Sequence, residues 1–201
     1  MKEFLRVLAE QRFDDHRYYH QSRINQTLHL ISAISFLVAY ALLFIDPAMA
    51  ASVGWCVSMG TRQSGHFFFE PRDFDRVNRV SHEYKEAVKV GYNLRRKAVL
   101  IGIWAAVPLL LWWQPSVFGL IEPATSFSGL VHDVGIAWLA LAVGGLFFRV
   151  LQLFWLQGPL AALAWMVKIL TDPFHDIALY WRSPLALLRG ELLDPMTHIG
   201  H

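Results

Sequence analysis

The chain has 201 residues, of which 55% are hydrophobic and only 17% charged, with a mean hydropathy of +0.35. That balance excludes intrinsic disorder, which needs low hydrophobicity and high charge, and argues against an ordinary soluble enzyme. A net charge of +2 is too mild for a nucleic-acid partner, and a single cysteine, Cys56, excludes an intrachain disulfide framework or a four-cysteine zinc site.

Charge-free stretches organise the chain. Ile24–Ile45, Pro47–Thr61, Ala98–Ile121 and Val150–Val167 hold no Asp, Glu, Lys or Arg, and Pro123–Phe148 holds only Asp133. About 20 apolar residues of helix cross the hydrocarbon layer of a bilayer. The expectation is therefore an all-α, polytopic membrane bundle of four or five membrane segments, forming a single integral membrane domain over 1–201.

Residues 1–24 carry mixed charge without an apolar core near the start, so they read as a cytoplasmic N-terminal segment rather than a cleaved signal. Ser22 is a suitable N-cap for a first span over about Asn25–Ile45, and a break near Gln21–Arg23 separates it from what precedes. Asp46-Pro47 ends that helix and starts the next, since proline is tolerated at a helix start but not inside. The second helix runs from about Ala48 and needs the polar stretch Arg62–Glu70 to complete a crossing. Residues 71–97 form a charged loop, and Ala98–Trp113 and Gly129–Phe148 are the third and fourth spans. Val150–Val167, interrupted at Gly158-Pro159, is either a kinked span or a re-entrant segment. Residues 168–201 are amphipathic and punctuated by Pro173, Pro184 and Pro195.

Five Lys and Arg precede the first span, nine lie between Arg62 and Lys97, and none lies between Ala98 and Phe148. The positive-inside rule places the N-terminus and the 71–97 loop in the cytoplasm, with Arg149 closing the fourth span on that side.

Nine histidines are the other unusual feature. Asn25 and His29 are four apart and share a helix face, as do His66 and Glu70. Two spans joined by a tight turn are antiparallel neighbours, so the start of the first lies beside the end of the second. A break after His20 lets that ring join them. Three imidazoles and a carboxylate then gather at the membrane border, a donor set that suits iron, zinc or nickel; alternatively the carboxylate steadies a ligating ring. His16 shares a face with His20, and His175 is a further candidate ligand. His82 reads as solvated, His132 lies toward the opposite membrane face, and His198 and His201 fall in a terminal tail.

At these residues the chain resembles the membrane 2-hydroxy fatty acid dioxygenases of fatty-acid alpha-oxidation. The carriers are His20, Asn25 and His29 at the mouth of the first span, and Gly65, His66, Phe69 and Glu70 in a Gly-His-x-x-Phe-Glu pattern. The resemblance covers residues 16–70 and departs after Glu70, where Pro71-Arg72-Asp73 follows. It implies an iron(II) (Fe2+) enzyme that uses O2 to shorten a long-chain 2-hydroxy fatty acid by one carbon. His20, His29 and His66 would be ligands, Glu70 a fourth ligand or a partner of one, and Asn25 an orienting group. Arg62 or Arg72 would pair with the substrate carboxylate, and the acyl chain would lie among the apolar spans of a bacterial inner membrane or endoplasmic reticulum. The alternatives are a non-catalytic haem- or metal-binding membrane protein, or a membrane scaffold or transport partner.

Overall fold

The computed structural model describes residues 1–75, 77–88 and 94–196, and among them the protein is helical with no strand. His198 and His201 lie outside the described residues.

Helix α1 (Lys2–Tyr19) buries Leu8, Gln11, His16 and Tyr19, a stripe at helical spacing on an otherwise polar helix. It stops at His20, and α2 (Arg23–Leu42) begins behind Ser22, whose hydroxyl accepts from the Asn25 N–H. The expected break and cap are thus both present. The buried face of α2 carries Asn25, Gln26, His29, Ser32 and Ala33, while Ile31, Ile34 and Val38 are exposed. Polar-in and apolar-out inverts the pattern of a water-soluble helix.

Asp46 caps α3 (Pro47–Ser52) through the Met49 N–H. The helix then continues through a π-helical stretch, Val53–Met59, through α4 (Gly60–Ser64), and through a second π-helical turn, Gly65–Phe69, before Glu70 turns extended. Gly135 of α7 (Phe127–Gln157) lets that helix close on α3: a Cβ there would stand 2.5 Å from the Ala48 carbonyl oxygen. Trp55 donates to the Trp138 carbonyl and Trp138 donates to the Trp104 carbonyl, so the indoles stitch α6 (Leu94–Trp113) to this pair.

Three described helices are long and apolar enough to cross a membrane: Arg23–Leu42, Arg95–Trp113 and Phe127–Gln157. The fourth stretch differs from expectation at its end. Arg149 does not close the helix; it is buried and donates to Gln152, one turn further along α7. Val150–Gln157 therefore belongs to α7, and Gly158, at φ 91°, turns the chain into α8 (Pro159–Tyr180). Leu153, Ala162 and Trp165 pack across that turn.

The charged 71–97 region also departs from a solvated loop. Asp75 and Lys85 are buried, and the Asp75 carboxylate takes the Gln21 amide at 2.8 Å. Helix α5 (His82–Val88) is held to α1 by the Tyr19 hydroxyl, which donates to the Lys85 carbonyl. At the other end of the chain, α9 (Ser183–Leu188) packs on α2.

Candidate metal centre

His20, His29 and His66 converge, each offering one ring nitrogen within 4.8 Å of the others, and all three residues are buried. Three elements supply them: the α1–α2 junction, the first half of α2, and the second π-helical turn. Gly65 permits the approach. A Cβ at Gly65 would meet Asn25 Oδ1 at 2.1 Å and His29 Cε1 at 3.4 Å, so any larger residue would displace the Asn25 amide.

The outward nitrogen of each ring is engaged. His29 Nδ1 bonds the Asn25 carbonyl at 2.9 Å, and His66 Nδ1 bonds the Glu70 carboxylate at 2.8 Å. Carbonyls and carboxylates only accept, so both rings carry their proton on Nδ1 and turn an Nε2 lone pair inward. His20 Nδ1 meets the Tyr180 hydroxyl at 2.9 Å, and the same hydroxyl contacts His16 Nδ1. Nε2 of His20 and Nε2 of His29 are buried with no hydrogen-bond partner. Orphaned lone pairs of this kind are what a cation satisfies, so the residues fit a metal ion bound through nitrogen at about 2.0–2.2 Å.

Burial above all, with His29 and His16 adding repulsion, holds His20 well below the ordinary histidine value of 6.5. The ring is therefore neutral at pH 7, the form that ligates.

Glu70 sits on the outer nitrogen of His66 and so acts on that ring as its orienting carboxylate. The Asn25 amide donates to the Tyr19 carbonyl at 2.8 Å, tying the end of α1 to α2, while its Oδ1 is buried without a partner beside Gly65. Arg62 is committed to Asp176 at 3.0 Å, and Arg72 is exposed and donates to the Phe67 carbonyl at 2.8 Å. His175 lies outside the triad, its ring centroid 5.1 Å from that of His16. His132 is exposed beside Asp133 on α7.

Sequence reasoning missed Tyr180, which is fully buried and holds two imidazoles. A signal for it exists: Lys168, Asp172, Asp176 and Tyr180 recur every four residues and form one buried polar stripe on the largely apolar α8. It faces Asp15 of α1, which accepts from Lys168 at 2.9 Å, and Arg62, which reaches both Asp172 and Asp176. Gln26 was missed as well. Its amide donates to the His20 carbonyl and to Asp194, each at 2.8 Å, and its oxygen accepts from Ser183 at 2.6 Å.

Fold and site together define a protein that is, among the described residues, all-helical, with three membrane-length helices and a buried triple-imidazole cluster that could hold a metal ion. No protein-family model matches the chain, and no match was found among curated proteins or solved structures.

Proposed function

We propose that the protein is an integral membrane, iron(II)-dependent dioxygenase that shortens long-chain 2-hydroxy fatty acids by one carbon. The observation that carries the reading is the shared direction of the imidazoles: His29 and His66 are fixed by their Nδ1 partners with lone pairs facing the space that His20 also borders. A three-nitrogen set leaves coordination positions open, and iron, unlike zinc, supplies redox chemistry toward O2. The sequence resemblance at residues 16–70 supplies the substrate class. The stoichiometry needs no other reductant. Oxidation of the 2-hydroxy acid and one water to the shorter acid and carbon dioxide releases four electrons and four protons, which one O2 accepts in forming two waters.

The chain's own groups have definite tasks in this reading. Glu70 and the Asn25 carbonyl keep two ligands in one tautomer. His20 donates its Nδ1 proton to the Tyr180 oxygen, and the Tyr180 proton passes to His16 Nδ1, so this pair forms a continuous donor chain. Arg62 lies within electrostatic reach of His20 and receives the substrate carboxylate in exchange for Asp176. The outward apolar face of α2 and the exposed apolar surface of α6 face lipid. The 47–69 helix completes a further crossing, and the N-terminus and the 71–97 region are cytoplasmic.

The test is product analysis in detergent or nanodiscs with a long-chain 2-hydroxy acid, O2 and Fe2+. The wild type is expected to release the acid one carbon shorter with matching O2 uptake, and His66→Ala to release none. Equal turnover by His66→Ala, or none by iron-loaded wild type, contradicts the assignment.

A further inference from the structure

Two hollows meet at Trp55 and Trp104, and neither is lined by His20, His29 or His66. The larger, about 550 Å³, lies between α6 and α7 and is bordered by Leu100, Ile103, Gly144, Gly145 and Phe148, with Arg95 and Arg96 at its edge. Its volume lies within the roughly 300–1,000 Å³ of small-molecule sites. The smaller, about 230 Å³, is walled by Met59, Gly60, Gln63, Ser64, Phe67 and Ile101. Trp55 and Trp104 line both, their rings stacked at 5.9 Å between centroids, so the hollows share one wall.

Each end has a distinctive chemistry. Gln63 lines the inner hollow one helical turn before His66; it is 8% exposed, and its Oε1 is buried with no hydrogen-bond partner. An orphaned acceptor in an apolar wall is costly unless something donates to it. The outer end carries two exposed guanidinium groups, complementary to a carboxylate approaching along the membrane border. Between the ends the wall is nearly all hydrocarbon. Gly144 and Gly145 sit mid-helix in α7, where glycine is disfavoured, and a Cβ at either would meet nothing within 4 Å. These two positions hold the groove open without being needed to seat a neighbouring helix.

We propose that these hollows form the binding path of a single-chain hydroxy fatty acid, with the Gln63 amide turning its Oε1 into the hollow to accept from the 2-hydroxyl and the alkyl tail passing Trp55 and Trp104 into the α6–α7 groove. Arg95 and Arg96 recruit the carboxylate at the entrance. The identity of the head group rests on the oxygenase reading above; the path for the tail rests on the cavities alone. Gln63 thereby becomes a determinant of hydroxyl specificity, and Gly144 and Gly145 determinants of chain length.

The experiment is equilibrium binding of radiolabelled 2-hydroxyoctadecanoate, octadecanoate and 2-hydroxyoctanoate to the full chain in nanodiscs without O2, with metal content measured on the same samples. In Gly144→Leu/Gly145→Leu the affinity for 2-hydroxyoctadecanoate is expected to fall about tenfold or more, while that for 2-hydroxyoctanoate stays unchanged, because only the longer tail reaches the groove. In Gln63→Leu the preference for 2-hydroxyoctadecanoate over octadecanoate is expected to vanish. Metal content and thermal unfolding are expected to stay at wild-type values in both. Unchanged long-chain binding in the glycine variant, or displacement of the long-chain acid from wild type by phosphatidylcholine at equal concentration, would overturn the proposal. Because binding is read without turnover, a protein that shows this chain-length pattern but no iron refutes the oxygenase reading and leaves the acyl path standing.

Discussion

At the residue scale, the site is built less from ligands than from the groups behind them. Tyr180 illustrates this, since one buried hydroxyl serves two rings on α1 and its junction. Tyr180→Phe keeps the ring volume and removes both bonds, leaving two buried imidazole nitrogens without that partner. The expected outcome is a loss of about 1–3 kcal/mol in stability and a 10–100-fold weaker metal affinity, read by chemical unfolding and chelator competition. Acid acts on the same residues. Burial pushes His16 and His20 well below 6.5, so below that pH the unfolded chain binds more protons than the folded one. Stability is present above about pH 6.5 and drains away as the pH falls beneath it, toward the lower folded-state values. A thermal-unfolding series from pH 7.5 to pH 5, with the midpoint dropping only below about 6.5, checks this. His20, His29 and His66 were legible in the sequence because helix spacing and a tight interhelical turn fix their neighbourhood. Tyr180 was not: the four-residue polar stripe on α8 marks it as buried, but no local pattern says which ring, more than a hundred residues away, it will meet.

At the scale of elements, two glycines decide how closely helices approach. Gly65 admits Asn25, and Gly135 admits the backbone of α3. Gly135→Ala sets a methyl against a carbonyl that cannot rotate away, so the expected cost is about 1–3 kcal/mol, with α7 displaced from α3 and the indole ladder of Trp55, Trp104 and Trp138 loosened. Near-ultraviolet circular dichroism and the unfolding midpoint report both effects. Helix ends were read well where chemistry is local, as at Ser22 and Asp46-Pro47. The end of α7 was misread because Arg149 was treated as a membrane-border charge. A half-buried partner, Gln152, lets the buried arginine stay inside a helix that continues for two more turns. The π-helical turns carried no sequence signal at all; the second, Gly65–Phe69, widens the helix where His66 lies beside Glu70.

At the scale of the whole molecule, the C-terminal helices α8 and α9 fold back onto the helix that carries His29, and α1 packs on α8. Asp15, Lys168 and Asp172 join α1 to α8; burial alone lifts the Asp15 carboxyl, but the Lys168 ammonium holds it well below its ordinary range. Lys168→Met would leave the Asp15 carboxylate without its cation and Asp172 with only Arg12 and Arg62, at 3.8 and 3.9 Å, and breaking a buried pair of this kind costs about 3–5 kcal/mol. The expected readout is a lower unfolding midpoint and faster proteolysis within α1, with the larger effect at neutral pH than at pH 4. The general character of the fold, helical and apolar outward, was legible in composition and charge spacing. The cap formed by α1, α5 and α9 was not, because its contacts are buried polar groups paired over long sequence distances, such as Gln26 with Asp194 and Lys85 with the end of α1. The central claim is that three imidazoles share one cation, and X-ray absorption spectroscopy with metal quantification on the purified full chain tests it most directly. About one ion per chain is expected, with a nitrogen shell near 2.0–2.2 Å that is lost in His20→Ala, His29→Ala and His66→Ala. An iron-supplemented wild type with no stoichiometric ion, or a nitrogen shell unchanged in all three variants, would contradict it.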